Sequence, residues 1–382
     1  MTQKGKILVL ISFIVAGLLI PSRANAEWRD ELPDNLRMFG RYFWAGGYSF
    51  DRPFLKEGLF SEANVRMNGR YVIDDEWNME FAWQVDGSYF EGLSMTSMTG
   101  PEGLVNLSWE VDEKTNWRVR HLLDRLQLNY RSGDFTVDIG RQRLAWGTTF
   151  TMSFMDMFHP IRPGDPFVPE QPGTDSIRLR VATGPVAGWD LLYAWFDDEG
   201  REAFAAKYHN VYGDFESGLS VGRIMEEDFI AFQTTGDVKD VGIRIEAAWW
   251  DTKGEGEPYR FALESDYAPN SSTYLSGEIF YNGPGAENPE EYDLENLLTG
   301  GLYPARWYAG TRCTYNPGGL TTLSVLGLAN LTDDSWFADF GVQYSVSNST
   351  DMRIGYQHYE GETLSEYGAL PDIIYVISTT YY

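Results

Sequence analysis

Nine arginines fall between residues 118 and 180, at 118, 120, 125, 131, 141, 143, 162, 178 and 180, with no lysine and seven acids. The segment is net +2 in a chain of net charge −26. Guanidinium groups keep their charge at every accessible pH and grip carboxylate or phosphate in a planar fork. Arginines set along one wall would therefore draw anions. The competing reading is a structural network in which the same arginines only neutralise neighbouring acids.

Other chemistry finds little support. Gly218-Leu219-Ser220-Val221-Gly222 fits G-x-S-x-G, but a nucleophile elbow needs a strand-to-helix turn and Ser220 lies inside an expected strand. The histidines, His121, His159, His209 and His358, lack metal-ligand spacing, so no metal site is expected. Cys313 is the only cysteine, which excludes an internal disulfide, and no C-x-x-C-H or phosphate-cradling loop calls for a cofactor. The acids of the 285–296 stretch read as a solvated loop, with divalent cations bridging lipopolysaccharide as the alternative. The chain is not expected to be an enzyme, and its acidity argues against nucleic acid as a partner.

The elements that must position the arginines are strands. The last ten residues, Ile373 to Tyr382, hold no charge, Gly or Pro and are almost all β-branched or aromatic. Such a segment is safe where it closes a sheet and removes the edge. At the other end, Lys4 and Lys6, an apolar run from Ile7 to Ile20 and Ala24-Asn25-Ala26 have the layout of a secretory signal. Residues 1–26 are expected to be removed, leaving 27–382 as one domain; losing Lys4, Lys6 and Arg23 takes the charge from −26 to −29.

Between the ends, polar and apolar residues alternate with period two. Arg244 and Glu246 alternate with Ile243, Ile245 and Ala247; Asp339, Gly341 and Gln343 alternate with Ala338, Phe340, Val342 and Tyr344. About eighteen such strands are counted, centred near Tyr42, Val65, Phe81, Leu126, Val137, Leu179, Leu192, Ala206, Val221, Ala231, Ile245, Ala262, Ser276, Gly310, Leu323, Phe340, Gly355 and Val376 (sixteen is the competing count). The long connectors, 91–117, 147–174, 282–305 and 360–372, are all odd-numbered, and even-numbered ones include short turns such as Asp74-Asp75-Glu76. Membrane barrels have this asymmetry, with long loops outside and tight turns on the periplasmic side. A secreted sandwich or propeller is the alternative and explains neither the parity nor the final strand. Trp44, Trp83, Tyr89, Trp117, Tyr130, Trp146, Trp189, Trp195, Trp249, Trp250, Tyr281, Trp307 and Tyr344 fall near strand ends, as interfacial girdles would. Cys313 is expected to face lipid.

In the fourth expected strand, Arg125 shares the lumen face with Gln127 and Asn129; in the sixth, Arg178 and Arg180 share it. The fifth breaks the pattern, because Arg141 and Arg143 have the parity of Val137 and Ile139. A bulge at Gly140 is expected to turn them inward. The loop that follows carries five prolines and an apolar Met/Phe core, too apolar for a free external loop. It is expected to fold into the lumen as a constriction through Met152, Met155, Asp156, Met157, His159, Asp165 and Glu170, with Asp156, Asp165 and Glu170 pairing arginines.

Gly140-Arg141-Gln142, then Trp146-Gly147, a Pro-rich loop, and Pro172-Gly173 leading into Asp175-Ser176-Ile177-Arg178 resembles porin-like bacterial outer-membrane barrels. A similar Gly-Arg-Gln strand occurs in alginate-export-type barrels, which are eighteen-stranded with an arginine-lined anion path. The resemblance covers about 40 residues and implies an anion-conducting role for Arg141 and Arg178 first. The Met- and Pro-rich loop departs from that family's pattern.

The sequence thus points to an all-β, antiparallel, up-and-down transmembrane barrel in a bacterial outer membrane, embedded in lipid and lipopolysaccharide. Its expected role is passive diffusion of small hydrophilic, anionic solutes past Arg125, Arg141, Arg143, Arg178 and Arg180. The alternative is a structural barrel that sheathes an export or electron-transfer complex with a periplasmic partner protein.

Overall fold

The computed structural model describes residues 32–52, 56–91, 104–114, 116–158, 164–167, 170–196, 201–224, 226–253, 256–292 and 303–382. The leader expected over residues 1–26, and His159, lie outside them. The strands are β1 (Leu36–Ser49), β2 (Gly58–Val72), β3 (Trp77–Phe90), β4 (Ser108–Lys114), β5 (Trp117–Ser132), β6 (Phe135–Gln142) and β7 (Thr174–Ala182). Then come β8 (Gly188–Trp195), β9 (Glu202–Tyr212), β10 (Phe215–Ile224), β11 (Glu227–Val238), β12 (Val241–Trp250) and β13 (Tyr259–Asn270). The last are β14 (Thr273–Asn282), β15 (Trp307–Gly318), β16 (Thr321–Asn330), β17 (Ser335–Ser347), β18 (Thr350–Glu360) and β19 (Ile373–Tyr381). No helix among the described residues is long and apolar enough to cross a membrane.

Eighteen of these strands form a closed antiparallel circuit, with β19 paired to both β18 and β1. Closure leaves no edge in the circuit. The additional strand, β4, lies in the 91–117 connector and, among the described residues, pairs with β5. β6 pairs with only the lower half of β5, from Leu126 to Ser132. Where β6 leaves, β4 takes up the β5 edge from Leu122 to Trp117. The chain between β6 and β7 leaves the wall at this level and turns inward.

Alternation sorts each strand into two faces. Phe135, Ile139, Leu191, Phe204, Val221, Ile230 and Phe340 stand exposed on the outside, where lipid covers them. Aromatics meet across strands at both ends of this belt: Trp77 with Tyr130 and Trp189 with Tyr208 at the turn end, and Tyr281 with Trp307 at the loop end. Three residues expected in the girdles are not on the exposed belt; one is Trp44, fully buried on β1. Trp146 lies buried in the inward loop, and Trp250 points into the barrel and stacks on Phe229. Cys313 falls in the outer row between Leu275 and Val325, as its parity predicts. In β19 the lumen set is Tyr375, Ile377 and Thr379; Tyr375 Oη donates to Asp339 Oδ2 at 2.6 Å inside the barrel. Ile374 and Val376 face outward.

Candidate functional site: the crossed lumen

The inward segment is held on the far wall by three carboxylates. Glu246 on β12, Glu264 on β13 and Glu278 on β14 are almost fully buried and lie on adjacent strands. Glu246 Oε1 accepts the backbone N–H of Thr148 at 2.5 Å and of Thr149 at 3.2 Å, and its Oε2 accepts Ser153 Oγ at 2.9 Å. Glu264 Oε2 accepts the Phe150 N–H at 2.6 Å, and Glu278 Oε2 accepts the Met152 N–H at 3.1 Å. A loop inside a barrel has no strand partner for its amides, and an unpaired buried amide is costly. These acids supply the acceptors.

Apolar contact does the rest. Leu144, Trp146, Met152, Phe154, Met155 and Phe158 pack against lumen-facing Leu192, Phe196, Phe229, Trp250, Phe280 and Tyr308, with Met157 at the margin. Lumen positions are polar in water-filled barrels. Here the apolar patch and the Met/Phe loop bury each other. Residues 144–158 of this loop lie against the lumen-facing side of the wall.

Among the acids expected to pair arginines, Glu170 pairs with two. Its Oε1 lies 3.0 Å from Arg41 on β1 and its Oε2 lies 3.1 Å from Arg66 on β2. Asp156 instead accepts the backbone N–H of Trp146 and Gly147, at 3.2 and 2.9 Å, and so closes the loop on itself. Asp165 Oδ1 accepts the Phe167 N–H at 2.8 Å.

The expected bulge lies elsewhere. Pairing runs unbroken through Gly140, whose φ of +121° suits glycine. The register shifts instead in β5, where Ala82 opposes Arg125 and Trp83 opposes Leu123, so Asp124 is the extra residue. Below that bulge Arg125, Gln127 and Asn129 oppose the inward-facing Ala82, Glu80 and Asn78, as expected. Asp124 itself is buried, 2.6 Å from Arg66 and 2.8 Å from Arg125.

The candidate arginines divide into two groups. Arg141 forks onto Asp175 with two contacts of 2.8 Å, and by register it keeps the row of Ile139; Val105 O accepts its third bond. Arg178 forks onto Asp190, Nε to Oδ1 at 2.9 Å, and Arg180 pairs with Asp138 at 2.5 Å. These three are matched one to one by acids on neighbouring strands. Arg125 and Arg143 are not. Arg125 Nη2 donates to Gln171 O at 2.6 Å, and Arg143, exposed at the root of the loop, donates to Gln171 Oε1 at 2.8 Å. With Arg41 and Arg66 they make four arginines around Asp124 and Glu170. Sequence reading missed Arg41 and Arg66; Arg66 shares its row with Glu62, Asn64 and Asn68, whereas Arg41 shares its row with Phe39 and Phe43.

Below the crossing, a cavity of about 520 Å³ opens along β15 to β19 and β1. Arg41, Arg312, Asp339, Asp351, Arg353 and Asp165 line it. Ser220, the G-x-S-x-G serine, is buried in the middle of β10 opposite Lys207 and Ala231, with no strand-to-helix turn.

Among solved structures the chain is similar to OccAB1 of Acinetobacter baumannii, at 12% identity and a TM-score of 0.54, covering 91% of this chain and 97% of that one. It is likewise similar to OccK7 (OpdD) of Pseudomonas aeruginosa, at 12% identity and a TM-score of 0.52, covering 91% and 98%. A mutant porin of Rh. blastica aligns over 91% of this chain and 100% of that one at 9% identity, with a TM-score of 0.48. No protein-family model matches the chain. No curated protein matches it either. The first two likenesses support the fold alone, a closed antiparallel β-barrel, which in this structure has eighteen strands. Together with the lipid-facing belt, the fold places the chain in a bacterial outer membrane.

Proposed function

We propose that this barrel is a porin: a passive channel for small hydrophilic solutes, with a preference for anions. The observation that carries the anion preference is the wall where Arg41, Arg66, Arg125 and Arg143 meet Asp124 and Glu170, an excess of two positive charges beside the crossing loop. Arg143 is the foremost member, being exposed and bonded to an amide rather than an acid. Arg141, Arg178 and Arg180 are proposed to orient this wall more than to meet solute, because each is matched by one aspartate. The alginate-type reading rested on Arg141 and Arg178, and those forks give it no support. A sheath around a periplasmic partner is not favoured, because the chain's own loop crosses the lumen.

Reversal potentials across planar bilayers under a salt gradient test the proposal. Anion preference is expected, and Arg143→Ala should lower the anion-to-cation permeability ratio by about fivefold, the equivalent of about 1 kcal/mol for one unit charge near the path. Strong cation preference, unchanged in Arg143→Ala, would overturn the anion reading. Absence of any conductance would overturn the channel itself.

A further inference from the structure

Glu264 and Glu278 stand directly opposite each other on β13 and β14, on the same inner face. Opposed pairs place their Cβ atoms about 5 Å apart. Both side chains are buried. Each uses Oε2 to hold a loop amide, and each is left with Oε1 buried and without a hydrogen-bond partner. Two ionised carboxylates side by side, each with an orphaned oxygen, is a costly arrangement. Two cations stand on the neighbouring strands and act on Glu264 from a distance, but among the described residues neither forms an ion pair with Glu264 or Glu278. Arg244, opposite Glu264, is bonded to Asp266 and stacks on the Phe150 ring. Arg312, on β15 opposite Ser276, lines the cavity below. Glu246 on β12 adds a further acid, already filled by Thr148, Thr149 and Ser153. Tyr274, Tyr303 and Tyr308 are further titratable groups nearby.

We infer that Glu264 and Glu278 share one proton between their Oε1 atoms and form a latch that fastens the crossing loop to the wall. The shared O–H satisfies both orphaned oxygens and leaves both Oε2 atoms free to accept from Phe150 and Met152. Loss of that proton to solvent leaves two facing anions, which separate and release the loop amides. The latch is a property of the loop and does not depend on which ion the barrel passes.

The experiment measures amide hydrogen exchange of residues 148–153 in the full-length barrel, corrected for intrinsic exchange, from about pH 7 to about pH 10. The expected result in the wild type is a fall in protection of roughly tenfold or more, the scale of one lost hydrogen bond to a charged acceptor. In Glu278→Gln the amide N–H donates permanently to Glu264 while its carbonyl accepts from Met152, so protection should stay flat; Glu264→Gln should behave alike. An equal fall in the wild type and the assembled variants would overturn the latch. Infrared spectra of the wild type decide the matter if neither variant assembles. A protonated-carboxyl C=O band at neutral pH that disappears on alkalinisation is expected, and its absence overturns the proposal.

Discussion

Arg66 answers two acids at once: Asp124 from the β5 bulge and Glu170 from the crossing loop. It is 2% exposed, and Asp124 is 3% exposed, so water replaces neither partner if the other is lost. Arg66→Ala should cost about 1–3 kcal/mol, the range for losing buried hydrogen bonds to charged groups, because Asp124 keeps Arg125 and Glu170 keeps Arg41. Denaturant unfolding of the refolded barrel would show it, and Arg66→Lys should recover only part, because a single ammonium cannot replace a fork. The arginine-rich segment drew attention from sequence because its density is unusual. Arg66 and Arg41 did not, since each is one charge on a strand that looks like its neighbours. Their importance comes from Glu170, which reaches them from over a hundred residues away in the chain. The same distance hid Glu246, Glu264 and Glu278: their inward parity was legible, but the amides they hold were not.

The connector between β18 and β19 illustrates the scale of the element. Asp372 fastens it to the rim by accepting Tyr356 Oη at 2.6 Å and the Tyr359 N–H at 3.0 Å, with His358 Nδ1 at 2.9 Å and Arg52 at 3.6 Å. Burial raises the Asp372 carboxyl, but the hydrogen bonds from Tyr356, Tyr359 and His358 outweigh it and hold the group below its ordinary value. A depressed carboxyl stabilises above the ordinary aspartate value, roughly pH 3.9, and that contribution is lost as pH falls through the depressed value. Protease nicking of residues 361–371 should therefore be slow at neutral pH and rise only in strong acid. Asp372→Asn should raise nicking at neutral pH and remove the acid step. Element reading from sequence succeeded where one face met lipid and the other met polar groups, because period two is then imposed on every residue. It failed at β4, whose Trp109-Glu110 alternation was hidden in a connector with no hairpin partner of its own, and at Gly140, where a positive φ replaced the expected bulge.

At the scale of the molecule, β19 joins β18 to β1 through nine registered pairs with β1. Deleting residues 373–382 exposes two long edges at once, and the barrel should no longer reach the folded form whose gel mobility changes on heating. Appearance of that form in the truncated chain would show that β18 can close on β1 unaided. Strand lengths around the circuit are unequal, and that has a consequence outside the protein. β6, β7 and β8 run for 8, 9 and 8 residues, against 14, 15, 14 and 16 in β1, β2, β3 and β5. At about 3.4 Å per residue and a tilt of about 40°, the short side stands only about 20 Å tall. The apolar band of an outer-membrane barrel is about 25 Å. Lipids along β6–β8 must thin to meet the protein while those along β1–β5 need not. The barrel therefore carries a dent in the bilayer on one flank, below the point where β6 turns inward, and neighbouring proteins with a similarly low wall will be drawn to that side.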